Sequence, residues 1–359
     1  MIWNWQKSDW PNWRFDSEVL KPLEAQFLLD SGRLLGAWKH LQPETQEQVK
    51  IDLLSDEAMK TSEIEGEFLD RDSVQSSLRR QFGLTADRRS GPAETGIARL
   101  MVACFQDFKA PLTDAMLFNW HELVCAGRTD LKMIGAYRDH DDPMQVVSGS
   151  IQKPKVHFEA PASSAMQSEM TDFLNWFATS ELPALTKAGL VHLYFVSIHP
   201  FEDGNGRIAR GLSEKALAQA LGQPSLLALS GQIRADRSAY YNALEANNKT
   251  MDVTGWLLWF AGTVLKAQSY SAAMIDHLIA KTRLLDRLRG QLNAHQEKVL
   301  IRMYDAGPAG FTGGLSAKNY MTITDTAPAT ARRHLGDLVA RGALVRTGER
   351  KGTRYWLNV

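Results

Sequence analysis

His199-Pro200-Phe201-Glu202-Asp203-Gly204-Asn205-Gly206-Arg207-Ile208-Ala209-Arg210 follows an apolar helical stretch, Leu190 to Ile198, and decides how the rest of the chain is read. Pro200 ends the preceding helix, which leaves His199 at a helix-to-loop junction where its imidazole can be exposed. Gly204 and Gly206 let the backbone turn sharply and approach a ligand closely, with Asn205 tolerating left-handed geometry between them. A helix beginning near Arg207 offers its first N–H groups as an anion site. Arg207 and Arg210 lie three residues apart and share one face, adding two planar cations beside it. Taken singly, a histidine is more often structural, Gly-Asn-Gly is usually a turn, and helical arginines usually face solvent. Together within one short stretch they describe a polyphosphate and Mg²⁺ site with a general base.

The surrounding chain is globular in composition, with 44% hydrophobic and 23% charged residues over 359 positions, and its length favours two or three units. The start, Met1 to Lys7, lacks a signal-peptide pattern, and the most apolar runs, Leu190 to Ile198 and Gly255 to Leu265, are too short to span a bilayer. A soluble, cytoplasmic protein with no membrane partner is therefore expected. Cys104 and Cys125 are too few and too far apart for a disulfide framework or a zinc pair. Basic and acidic residues balance at 41 each, but residues 291–359 carry a net +5, leaving −5 on the first 290.

Periodicity is mostly helical. Helices are expected over about 46–65 with Gly66 as a stop, and near 95–109, 113–126, 161–179, 185–198, 207–221 and 252–288. Pro161 would sit in a first helical turn. Met144 to Ser150 and Lys155 to Phe158 read instead as a short hairpin around Ser-Gly-Ser. Trp3, Trp5, Trp10, Trp13 and Phe15 crowd the first fifteen residues and read as an anchor onto the next domain.

The stretch from His199 resembles the signature of the Fic family, His-Pro-Phe-x-Asp/Glu-Gly-Asn-Gly-Arg-x-x-Arg, and matches it at every specified position. The resemblance extends over about residues 50–265, and the Trp-rich start is similar to the extension of many bacterial Fic proteins. It implies a protein adenylyltransferase, moving AMP from ATP to a Ser, Thr or Tyr hydroxyl. In that family pattern His199 is the general base, Asp203 holds Mg²⁺, and Gly204, Asn205, Gly206 and Arg207 cradle the phosphates, while Arg210 grips the γ-phosphate. An unperturbed imidazole, with a pKa of about 6.5, suits a base near neutral pH. Glu202 occupies the variable position and receives no role. The hairpin at Val147, Ser148 and Gly149 resembles the family's flap, which aligns a target segment by strand addition. Tyr240, Tyr241 and Asn248 match its nucleoside-side segment, although the tyrosines read equally as core packing. Thr61-Ser62-Glu63-Ile64-Glu65-Gly66 fits the inhibitory motif Ser/Thr-x-x-x-Glu-Gly/Asn, which implies that Glu65 pairs with Arg210 and slows the resting enzyme.

From about Asn293 the pattern is three helices, Ala294 to Tyr304, one starting at Ser316, and Thr326 to Arg341 with Thr326 as N-cap. Two strands follow, Ala343 to Arg346 and Thr353 to Leu357. The order resembles a winged helix, with Arg332, Arg333 and His334 on its recognition helix and Arg350 and Lys351 on its wing. DNA binding and protein contacts both stay open for it. The fold expected is mainly α: residues 1–90 form a Trp-rich helical region with the inhibitory helix, 91–290 a Fic catalytic domain with its flap, and 291–359 the winged helix. The partners are a target protein, the chain itself included, and DNA through residues 291–359, with a homodimer left open. A transcription regulator with a nucleotide-sensing or self-modifying Fic module, and an enzyme that removes AMP, are the alternatives.

Overall fold

The computed structural model describes residues 2–86, 88–150, 153–308 and 310–358. In chain order the helices are α1 (Ser17–Lys39), α2 (Pro43–Ile64), α3 (Arg71–Gln81), α4 (Pro92–Gln106) and α5 (Asp114–Val124). A ribbon of β1 (Gln145–Ser150) and β2 (Lys153–Glu159) comes next. After it come α6 (Met166–Thr179), α7 (Ala184–Ile198), α8 (Asn205–Leu221), α9 (Leu229–Ala235), α10 (Arg237–Asn247) and α11 (Thr254–Arg287). Last are α12 (Ala294–Tyr304), α13 (Ala317–Thr324), α14 (Pro328–Ala340), β3 (Leu344–Thr347) and β4 (Arg354–Leu357). The architecture is mainly helical, as the periodicity implies.

Two compact units emerge, Met1–Leu35 with Lys50–Ser271, and Gly36–Val49 with Ala272–Val359. In the first, α7 is apolar on all sides and buried along nearly its whole length, the behaviour of a central helix rather than an amphipathic one. Its N-terminal amides at Leu185 and Thr186 donate to the Glu24 carboxylate of α1, so a buried acid meets the positive end of the helix. The indole of Trp256 in α11 donates to Gly189 O at 2.8 Å, and α8 packs back along α7. The chain between α7 and α8 is therefore held on a rigid pair of helices.

The N-terminal tryptophans lie within this unit. Trp3 meets Phe158 of β2 edge to face at 5.4 Å, Trp5 Nε1 donates to Glu159 O, and Trp10 packs on Tyr194 of α7. Asn4, fully buried, donates from its amide nitrogen to Ser197 Oγ and from its backbone to Asn248 O.

Several local expectations are corrected. Helix α6 begins at Met166, and Pro161 lies ahead of it with its carbonyl accepting from Arg138. The Tyr240 segment is itself helical, in α10. Pro328 at the first helical position starts α14 with Ala327 as N-cap, so Thr326 does not cap it. In the second unit, Val299, Leu300, Tyr320, Leu335, Leu338 and Leu344 form the core. β3 and β4 pair antiparallel from Leu344↔Leu357 to Thr347↔Arg354, and Leu315 bridges to Tyr355 beside them. His334 faces inward, bonded to Tyr320 Oη at 2.9 Å, and is not available on the helix surface.

Candidate active site

His199 is the C-cap of α7 in the left-handed region, φ 53° and ψ 58°, its N–H still closing the helix on Phe195 O. A side chain there is strained, and Arg138 holds it. That buried guanidinium donates from Nε to His199 O at 2.8 Å and from Nη1 to Ser163 Oγ at 2.8 Å, while Nη2 reaches Pro161 O at 2.5 Å and Ile198 O at 3.4 Å. The Arg138 N–H adds a bond to Pro200 O. The imidazole Nδ1 sits 3.2 Å from Val196 O. Because a carbonyl can only accept, the proton is assigned to Nδ1, which leaves Nε2 with a free lone pair. Burial pushes the ring's pKa down to about 4, and the Arg138 charge adds to the fall, while the Val196 bond, Glu65 and Asp203 oppose it. The ring is half-buried and well below the ordinary imidazole value, not at it as a solvent-exposed side chain would be.

The turn after it is closed by Asn205. Its Oδ1 accepts from Phe201 N–H and its Nδ2 donates to Phe201 O, at 3.0 and 2.7 Å. Phe201 is buried, stacked on His121 with ring centres 4.1 Å apart. The left-handed residue is Gly204 (φ 81°), the N-cap of α8, and not Asn205, which already opens the helix. A Cβ on Gly204 would come within 2.7 Å of Val124 Cγ2. Gly206 lies in the first turn, and a Cβ there would stand 2.4 Å from Glu65 Oε1. Its hydrogen is what lets an acid rest against the start of α8.

Asp203 projects beside that helix start. Its Oδ1 accepts from Gly204 N–H and its Oδ2 from Arg128 Nη1, both at 2.6 Å. Burial alone would raise its pKa, but these bonds and the nearby arginine charges outweigh it and hold the carboxyl below its usual range. A single hard-oxygen carboxylate, partly exposed, is a donor that suits Mg²⁺ shared with phosphate oxygens and waters. Among the described residues no group of three or more His, Cys, Asp or Glu side chains could hold a metal ion.

Both signature arginines are buried and engaged. Arg210 donates from Nε to Thr61 Oγ1 at 2.7 Å and from Nη2 to Thr61 O at 3.0 Å and Glu65 Oε1 at 2.8 Å. Arg207 donates from Nη1 to Glu67 Oε2 at 2.7 Å and Val124 O at 3.1 Å. Glu65 and Glu67 flank Gly66, whose φ of 87° reverses the chain as α2 ends. One turn thus sets two carboxylates on two arginines. A neutral imidazole with a free nitrogen, a helix N-terminus and two arginines can together take up a polyphosphate and deprotonate a hydroxyl.

The Fic/DOC family matches residues 111–217, and a domain family of unknown function (DUF4172) matches residues 3–84. The chain carries a Fic/DOC family domain. A relative named protein adenylyltransferase Fic in Nematostella vectensis is 30% identical over 145 residues, covering 38% of this chain and 31% of that protein. Another of that name in Drosophila virilis is 26% identical over 186 residues, covering 48% and 37%. The chain thus spans about a third of these relatives' length. Among solved structures, a Fic family protein from Desulfovibrio desulfuricans superposes with a TM-score of 0.53 at 20% identity, covering 94% of this chain and 96% of that one. A Fic domain containing signaling protein from Bacteroides thetaiotaomicron gives 0.52 at 21%, covering 69% and 97%. These likenesses support the Fic fold.

Around the Fic signature, β1 and β2 form a two-stranded ribbon with Val147↔Val156, Ser148↔Lys155 and Gly149↔Pro154 paired and a bulge at Val146/Val147. Val147 and Val156 are exposed. A chain of bonds runs from Ser148 Oγ to His157 Nε2 (2.6 Å) and from His157 Nδ1 to Glu245 Oε2 of α10 (2.9 Å), and Asn248 Nδ2 donates to His157 O. The ribbon is therefore tied to the end of α10. Tyr240 is buried with its hydroxyl on His192 Nε2 at 2.9 Å, which is the core-packing reading. Tyr241 keeps an exposed ring, with Arg237 over its face.

Sequence reading missed Arg128, Arg138 and Glu67. Glu67 carried a signal, since it is the second acid beside a helix-stopping glycine. Arg138 carried none, because its partners are backbone carbonyls far along the chain.

Proposed function

We propose that the chain is a protein adenylyltransferase whose resting form is held slow by Glu65. The observation that carries this reading is the three-bond engagement of Arg210 by Thr61 and Glu65, beside an unprotonated His199. In the reaction, a hydroxyl of a target protein gives its proton to His199 Nε2 as its oxygen bonds to the α-phosphorus of ATP. The bond from that phosphorus to the bridging oxygen breaks, and pyrophosphate leaves. The α8 amides and Arg207 stabilise the charge that develops on the phosphates. Asp203 would hold Mg²⁺ through its carboxylate, and the metal when bound would supply further neutralisation of that charge. The free edge of β1 at Val147, Ser148 and Gly149 would align an extended target segment by strand pairing, and the exposed ring of Tyr241 is the best placed of the three candidates for the adenosine. The test is incubation with labelled ATP and Mg²⁺. Label on the chain itself or on a second protein, lost in His199→Ala, is the expected result, and no label from an active-site-released variant refutes it.

A second reading rests on the C-terminal unit. A cleft of about 930 Å³ there is lined by Lys318, Arg332, Arg346, Arg350, Lys351 and Arg354, with no carboxylate among its lining residues. This favours a nucleic-acid backbone as its ligand, in keeping with the winged-helix reading of α12 to β4. Duplex DNA binding that falls steeply with salt, and weakens in Arg332→Ala and Arg350→Ala, is the outcome that supports it. Binding indifferent to salt favours protein contacts instead.

A further inference from the structure

Outside the signature, the most heavily used polar side chain around the site is that of Arg138. It is 2% exposed, yet it carries a charge whose partners are neutral: three carbonyls and one hydroxyl. Burial depresses even its pKa, to about 10, and no carboxylate compensates. A buried charge without an opposite partner is costly to keep, and a structural arginine would ordinarily be paired or replaced by an apolar side chain. The carbonyls it gathers give the reason. Those of Ile198 and His199 lie at the C-terminal end of α7, where the helix leaves acceptors unmet and the dipole favours a cation. That of Pro161 and the Ser163 hydroxyl belong to the segment leaving β2. The backbone N–H takes the carbonyl of Pro200, on the far side of His199.

We infer that Arg138 is the positioning residue of His199: it clamps the carbonyls of Ile198, His199 and Pro200, so that the imidazole is held at one angle toward the incoming hydroxyl, and ties that angle to the segment following the ribbon. The left-handed backbone of His199 turns its ring out of the helix path, and the Nδ1 contact to Val196 O, at 3.2 Å, lies at the long end of the hydrogen-bond range, so the direction of the ring depends also on the backbone that carries it. The planar guanidinium can satisfy several acceptors in one plane, which an ammonium cannot.

This inference rests on the adenylyltransferase reading, and the experiment separates the two. In the Glu65→Gly background of the full chain, Arg138→Met keeps the packing volume and removes every side-chain donor while leaving the backbone bond to Pro200 O, and Arg138→Lys keeps the charge and loses the fork. Turnover should fall about 100-fold in the Met variant and about tenfold in the Lys variant, the scale expected for a reacting group misplaced by an ångström. ATP affinity should stay within about twofold, since His199 acts on the hydroxyl and not on the phosphates. In the same variants with ¹⁵N-labelled histidine, the His199 ring resonances should move from a fixed Nδ1–H tautomer toward an averaged one. Turnover within about threefold of the parent in both variants, or a loss expressed wholly in ATP affinity, overturns the positioning role. If Arg138→Met does not fold, the Lys variant decides by the same split. A Glu65→Gly parent with no transfer refutes the adenylyltransferase reading, and the His199 tautomer then judges Arg138 alone, unchanged resonances overturning it.

Discussion

Replacing Glu65 with Gly should accelerate AMP transfer, and the hydrogen bonds of Arg210 set how far. Its guanidinium makes one bond to the Glu65 carboxylate and two to Thr61. A hydrogen bond between ionised partners contributes about 1.5–3 kcal/mol when largely shielded from water, and the Glu65 side chain is 29% exposed against 1% for Arg210. Thr61 retains two of the three bonds in the variant, so the lower half of that range applies, and at about 1.4 kcal/mol per tenfold the gain is roughly 10- to 40-fold. Substitution also clears the space beside Gly206, where the carboxylate oxygen lies 2.4 Å from a notional Cβ. The assay is the initial rate of AMP incorporation at saturating ATP and Mg²⁺ for the parent, Glu65→Gly, Arg210→Ala and the double variant. Only Glu65→Gly should be fast, because in the proposed mechanism Arg210→Ala removes the brake's partner together with the γ-phosphate's anchor. A Glu65→Gly enzyme no faster than the parent would refute the reasoning.

Other consequences can be checked alongside. With His199 depressed to about 4, the base stays unprotonated through neutrality, so the Glu65→Gly rate should be flat from pH 8 to about pH 5.5 and fall only as pH drops toward 4, whereas an acid limb centred near 6.5 would contradict the buried ring. Glu67→Gln should add about 3- to 10-fold to the Glu65→Gly rate by releasing Arg207, and a slower double variant would make Glu67 a support instead of a brake. Phe201→Ala empties a buried aromatic site against His121 and should cost about 3–5 kcal/mol, read as a lower unfolding midpoint at unchanged slope. In the C-terminal cleft, each phosphate-contacting arginine removed should reduce the salt slope of duplex binding by about 0.9.

Much of this was legible in one dimension because the signature is contiguous. The turn from His199 to Arg210 is made by residues whose partners are each other: Asn205 closes on Phe201, and Gly204 caps α8. Even there a local rule misled, since Gly-Asn-Gly suggests left-handed asparagine, whereas the asparagine side chain was needed inside the loop and Gly204 took the turn. The Glu65 to Arg210 pairing spans 145 positions and was reached only by resemblance. The imidazole's low pKa depends on burial among α7, Arg138 and the turn, which no spacing encodes. Tyr240 and Tyr241 are adjacent in sequence, and only the packing of α10 against His192 and Trp259 turns one inward and leaves the other exposed.

The buried Asn4 has a practical bearing on where the molecule can be cut. Two separate family matches, residues 3–84 and 111–217, suggest two pieces that could be expressed apart. Yet Trp3, Asn4 and Trp5 bond to the last turn of α7, the end of β2 and the end of α10, the three places that frame the base, the ribbon and the helix carrying Tyr241. A fragment trimmed to the second match would expose Phe158 and Tyr194, leave Ser197 without its Asn4 partner, and lack both α10 and the turn that carries Glu65. Any recombinant piece meant to test the proposed chemistry should therefore begin no later than Trp3, because the contacts that hold the ends of α7, β2 and α10 begin there and not where the Fic/DOC match does.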